Sequence, residues 1–102
     1  MKKILIALTS ISFIAFSASV TAGDAKAGET KFKSTCVPCH GSNAEGLVGP
    51  KLAGQSAEDI VRKLTEFRAG KQRGPMTYMM APMAQGLTET EVHNVAAYLS
   101  NL

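Results

Sequence analysis

Cys36-Val37-Pro38-Cys39-His40 constrains this chain more than any other stretch. Two thiols three positions apart, with a histidine directly after the second, form C-x-x-C-H, the attachment signature of a c-type haem. Each thiol can add across one vinyl group of the porphyrin and leave a thioether. The following imidazole is then held at the iron as its proximal ligand. Cys36 and Cys39 are the only cysteines, so none remains for a disulfide framework. As a bare pattern, C-x-x-C also fits a thiol–disulfide site or half of a zinc site. His40 and the character of the N-terminus favour haem.

That N-terminus reads as an export signal over residues 1–22. Lys2 and Lys3 supply the positive start, and a mostly apolar run follows from Ile4 to Val20. Val20-Thr21-Ala22 offers small residues for cleavage after Ala22. The alternative is an uncleaved anchor. The run sits at the short edge of the ~17–25 residues that a spanning helix needs, and five Ser and Thr residues dilute it. Cleavage leaves 23–102 as one domain, expected in the periplasm with no stable membrane insertion. A domain this short has a small core, and a bound cofactor adds apolar surface to pack against.

Removal of Lys2 and Lys3 leaves nine Lys and Arg against eight Asp and Glu, a formal charge of +1. Two haem propionates bring this to about −1, which gives a nucleic-acid role no electrostatic support.

Three helical segments can be read. The first runs from about Asp24, a plausible N-cap, to Cys36. Gly28 inside it weakens the helix and suggests a close backbone approach; Phe32 shares its face. The second starts at Ser56, with Asp59 three residues on, and stops before Gly70; Ile60, Val61, Leu64 and Phe67 form its stripe. Its Glu, Lys and Arg side chains read as a solvated face. Thr88 and Glu91 form a capping box for the third, along which Val92, Val95, Ala96, Leu99 and Leu102 recur. Nothing alternates with period two for long enough to make a strand, so the domain reads as all-α.

Met76, Met79, Met80 and Met83 cluster just before the last helix. Methionines are usually packing residues. A thioether as second axial ligand, however, raises a haem's potential and suits it to electron transfer.

With these motifs the mature chain resembles the small monohaem class I cytochromes c of bacteria, and single domains of dihaem periplasmic cytochromes. The resemblance spans nearly all of 23–102. It rests on Cys36-x-x-Cys39-His40, Gly49-Pro50-Lys51-Leu52-Ala53-Gly54, Met80-Ala81-Pro82-Met83 before Leu87-Thr88-x-x-Glu91, and Ala96-Ala97-Tyr98-Leu99. It implies a cytochrome c fold of three main helices around one haem c, bound through Cys36 and Cys39. It further implies His40 and Met80 as iron ligands, with Met79 the rival for the second position. Pro50 would offer its carbonyl to His40, an orienting acceptor of the kind a ligating histidine needs, and Leu52 would wall the haem. Val95 and Tyr98 would oppose Gly28 and Phe32 where the first and last helices cross. Lys71, Gln72, Arg73 and Tyr78 are candidates for the propionates, and His93 is expected in solvent.

The function implied is a one-electron carrier, not an enzyme, monomeric and meeting redox protein partners briefly. A haem subunit of a periplasmic dehydrogenase or oxidase is the alternative. A thiol–disulfide oxidoreductase is remote, because the βαβ context is missing.

Overall fold

The computed structural model describes Ser10, Ser12 and residues 23–102. The expected export segment, 1–22, otherwise lies outside the described residues. Five helices follow one another: α1 (Ala25–Thr35), α2 (Val37–His40), α3 (Ala57–Arg68), α4 (Thr77–Gln85) and α5 (Glu89–Ser100). No strand occurs among the described residues, and none of their helices is long and apolar enough to cross a membrane.

Each of the expected helices begins where its cap stands. The Asp24 carboxylate accepts from the Lys26 and Ala27 amides, and Ser56 Oγ accepts from Asp59 N at 3.1 Å. Asp59 does not close a reciprocal box; its carboxylate reaches forward to Arg62. At α5 the box is complete, with Glu91 N bonded to Thr88 Oγ1 at 3.1 Å and Thr88 N to Glu91 Oε1 at 3.0 Å.

The crossing of α1 and α5 is the main helix–helix contact, and α3 packs on both α4 and α5. At the crossing a Cβ on Gly28 would overlap the Asn94 carbonyl and crowd the Val95 amide. A glycine is therefore what lets the two backbones touch. Phe32 is fully buried beside it, its ring 5.6 Å from that of Tyr98 and tilted by 48°, a favourable aromatic geometry. Asp24 N also donates to Asn94 Oδ1 at 2.8 Å, and Lys31 pairs with Glu91 at 3.1 Å. Val92, Val95, Ala96 and Leu99 are buried as their spacing predicts, but Leu102 is 49% exposed. The helix ends at Ser100, so Leu102 falls beyond the stripe.

The methionine segment differs most from expectation. Three helices with glycine- and proline-rich loops between them are what the sequence predicts, yet this segment forms a further helix, α4, with Pro82 inside. Proline removes one backbone donor and crowds the preceding turn. Here the short helix is fixed by side-chain bonds to the turn just before it and by packing against the core. Thr77, buried at its start, accepts from the Arg73 and Gly74 amides at 2.9 and 3.1 Å and donates to the Gly74 carbonyl at 2.8 Å. Ala84, fully buried, packs its other end into the core. The C-x-x-C-H motif is likewise a short helix, α2, with Cys36 as its cap.

Candidate functional site

The site begins with backbone carbonyls. The Cys39 and His40 carbonyls at the end of α2 accept from the Gly49 and Gly46 amides, at 2.7 and 2.8 Å. Buried Ala44, held at a φ of 55°, takes the Leu52 and Ala53 amides on its own carbonyl at 2.9 and 3.1 Å. This folds the 41–55 loop back on the motif and places Gly49-Pro50 beside the His40 ring.

There the Pro50 carbonyl oxygen lies 2.9 Å from His40 Nδ1. A carbonyl can only accept, so Nδ1 carries the proton and Nε2 is the nitrogen left with a lone pair. A Cβ on Gly49 would come within 2.5 Å of His40 Cε1 and 2.7 Å of Nδ1. Pro50 therefore fixes the tautomer, while Gly49 gives the ring its room. His40 itself is only 6% exposed.

His40 opens onto a cavity of about 460 Å³, within the ~300–1,000 Å³ usual for cofactor and small-molecule sites. Cys36, Cys39, Pro50 and Leu52 line it on the motif side. Met76, Met79, Met80 and Met83 line it from α4, and Leu64, Phe67, Val95 and Leu99 are among the residues closing it. The residues expected at the site thus converge on one hollow. The spacing of 76, 79/80 and 83 is that of one helix face. Met80 is half-buried against the core, while Met76, Met79 and Met83 are 43–44% exposed. An imidazole with its second nitrogen engaged, flanking thiols and thioethers in a mainly apolar hollow form a donor set and a shape that fit a haem.

Burial pushes the Cys36 thiol up to about 11; Lys31 opposes this weakly and Cys39 adds to it. A redox-active thiol needs the reverse shift. At neutral pH Cys36 is therefore a poor thiol–disulfide nucleophile.

Of the four side chains proposed for propionates, Arg73 lines the cavity, while Lys71, Gln72 and Tyr78 are absent from its lining. His93 is half-buried and lines a separate hollow with Gly23, Glu58 and Asn101. Three contributors were missed. Thr77 anchors α4, and Gln55 and Lys63 line the cavity. The sequence did hold a signal for Lys63: it stands three residues after Ile60 and four before Phe67, on the flank of the apolar stripe.

A helical fold closing a mainly apolar cavity over Cys-x-x-Cys-His is that of a covalent haem protein that transfers electrons. The family model for Cytochrome c matches residues 25–102, and the chain belongs to that family. Its cofactor is covalently bound haem c, one for a domain of this size. The chain is 44% identical over 82 residues to cytochrome c-554(548) of Halomonas halodenitrificans, covering 78% of this chain and 98% of that protein. It is 45% identical over 78 residues to cytochrome c4 of Thiocapsa roseopersicina, covering 74% of this chain and 38% of the relative. The crystal structure of reduced recombinant cytochrome c4 from Pseudomonas stutzeri superposes with a TM-score of 0.71 at 30% identity, over 76% of this chain and 47% of that one.

Proposed function

We propose that the mature protein, residues 23–102, is a periplasmic one-electron carrier that binds haem through Cys36 and Cys39 and ligates its iron with His40 and Met80. The observation that carries this is the pairing of two features in one cavity. His40 presents Nε2 with its tautomer fixed by Pro50, and α4 supplies the half-buried Met80.

The bound haem supplies the one-electron couple. The chain supplies the rest. Cys36 and Cys39 sit on one short helix whose carbonyls are tied into the 41–55 loop, so tether and imidazole share one rigid frame. Pro50 and Gly49 hold the imidazole plane, and Leu52 walls the hollow. The Met80 thioether, a weak donor, favours the reduced state. Leu64, Val95 and Leu99 exclude water, so little has to reorganise when an electron moves.

Partners would meet the rim, where Val48, Met76, Met79 and Met83 are exposed beside Leu47 and Tyr78. With little net charge, formally +1 for the mature chain and about −1 with two haem propionates, docking there relies on apolar contact over a small interface. Electron-transfer rates should therefore depend weakly on salt; a steep fall with added salt would count against it.

The alternative is a haem subunit held permanently in a periplasmic dehydrogenase or oxidase. One relative, 35% identical over 69 residues, is named thiosulfate dehydrogenase electron acceptor, in Stutzerimonas stutzeri; the chain covers 32% of it, and that name fits an electron acceptor in either arrangement. A subunit held permanently in such an enzyme would run on gel filtration of a native periplasmic extract as a large haem-bearing complex. A free carrier would elute at the size of the domain. Absorption spectra of the oxidised and reduced protein test the haem assignment itself: a c-type spectrum is expected, and its absence would end the reading.

A further inference from the structure

Two charged side chains are found among the described residues lining the cavity, Lys63 and Arg73, and both are cationic. Their settings differ. Arg73 lies over the Phe67 ring, 5.7 Å from its centroid, and pairs with Glu66, a carboxylate also approached by Arg62 and Lys71 at 3.7 Å. Lys63 makes no ion pair within 4.0 Å among the described residues; the exposed Asp59, four positions earlier, acts on it only at longer range and is itself paired with Arg62. The half-buried Lys63 ammonium is held by a neutral acceptor, Gln55 Oε1, at 2.7 Å, and Gln55 Nε2 is fixed in turn on the Lys51 carbonyl at 2.8 Å.

A lysine turned into a mainly apolar cavity and braced by an amide gives up part of its hydration without gaining a carboxylate in contact. Such an arrangement costs stability unless an anion joins it. A haem carries two propionate carboxylates at its periphery, and among the described residues no acidic side chain lines the cavity to compete for the ammonium. On the haem reading given above, we propose that Lys63 is a positioning residue that pairs with a haem propionate and raises the reduction potential of the iron. The sign follows from charge. Oxidised iron carries one more positive charge than reduced iron, so an unpaired carboxylate nearby favours the oxidised state. A cation that neutralises the carboxylate removes this bias, and the effect is large because low-dielectric surroundings screen it little. Gln55 sets the direction of the ammonium without cancelling it.

The experiment is a spectroelectrochemical titration of the haem-loaded protein and four variants. Lys63→Met and Gln55→Glu should both lower the midpoint. The first deletes the charge, and the second neutralises it while keeping the side chain. Each is expected to shift the oxidised-to-reduced ratio at a fixed applied potential three- to tenfold, tenfold being about 59 mV for one electron. Lys63→Arg should stay within twofold of the wild type. So should Lys51→Met, which removes an exposed cation, absent from the cavity lining, from the loop that carries Gln55.

An unchanged midpoint in Lys63→Met would overturn the proposal, as would a fall in Lys51→Met equal to that in Lys63→Met. If Lys63→Met fails to retain haem, Gln55→Glu decides alone, an unchanged midpoint there overturning the proposal. A wild-type protein lacking a c-type spectrum would instead overturn the haem reading, so the two failures are told apart.

Discussion

His40 Nδ1 lies 2.9 Å from the Pro50 carbonyl oxygen, and Gly49, immediately before that proline, leaves no side chain between its own backbone and the ring. The two neighbours act on the ring in different ways. Pro50 sets which nitrogen is free, and Gly49 sets how close the loop can come. Gly49→Ala should therefore force the ring to turn or the loop to lift. Overpacking of this kind costs about 1–3 kcal/mol. A lower urea midpoint at unchanged slope, together with a shifted reduction potential, is the expected outcome. A stability loss with an unaltered potential would mean that the ring had kept its position.

At the other close contact the cost falls on the fold. Gly28→Ala would place a methyl group on the Asn94 carbonyl, and backbone cannot step aside as a flexible side chain can. The loss should reach or exceed the upper end of the ~1–3 kcal/mol seen for overpacking. Phe32→Ala empties a fully buried site beside it and should cost about 3–5 kcal/mol. Both are measured by denaturant melts, and neither should abolish haem attachment in protein that still folds.

The fold was legible in the sequence where a local signal and a tertiary demand agreed. Asp24, Ser56 and Thr88 cap as their types predict, and the stripe from Val92 to Leu99 is buried. Gly28 announced a close approach that its neighbours then supplied. The misreadings share a physical origin. In α4, Pro82 and the flanking glycines signal a loop. The helix is held by the Thr77 hydroxyl, bonded three and four residues back to Gly74 and Arg73, and by the burial of Ala84, a tertiary contact that the apolar periodicity does not announce. Lys63 looked like solvated surface because its direction depends on Gln55, eight residues away on a loop. Leu102 kept the period of α5 after the helix itself had ended.

The Cys36 thiol, raised by burial to about 11, makes a prediction for protein isolated without haem. Its thiolate fraction at pH 8 is far below that of a free cysteine near 8.5. Alkylation by iodoacetamide at pH 8 should be at least tenfold slower than for a small thiol and should accelerate as the pH approaches 11. Fast alkylation at neutral pH would revive the thiol–disulfide alternative.

Acid should loosen the α1–α5 pair. The Glu91 carboxyl is held below its usual range, first by the Thr88 amide and then by Lys31. A carboxyl lowered on folding stabilises the fold above its unfolded value of about 4.3, and that contribution fades as pH falls through the folded value. Glu91→Gln should therefore narrow the gap between neutral and acid stability, chiefly below pH 4.3. Thr88→Ala, which removes the other half of the box, should cost about 0.5–2 kcal/mol. Thermal melts between pH 3 and 7 measure both.

The pairing of His40 with a methionine from α4 is tested most directly by the absorption spectrum of the oxidised haem protein in Met80→Ala and Met79→Ala. The weak red band of sulfur-to-iron ligation should vanish in Met80→Ala, with a lowered reduction potential, and persist in Met79→Ala. A band that survives Met80→Ala unchanged would contradict the assignment.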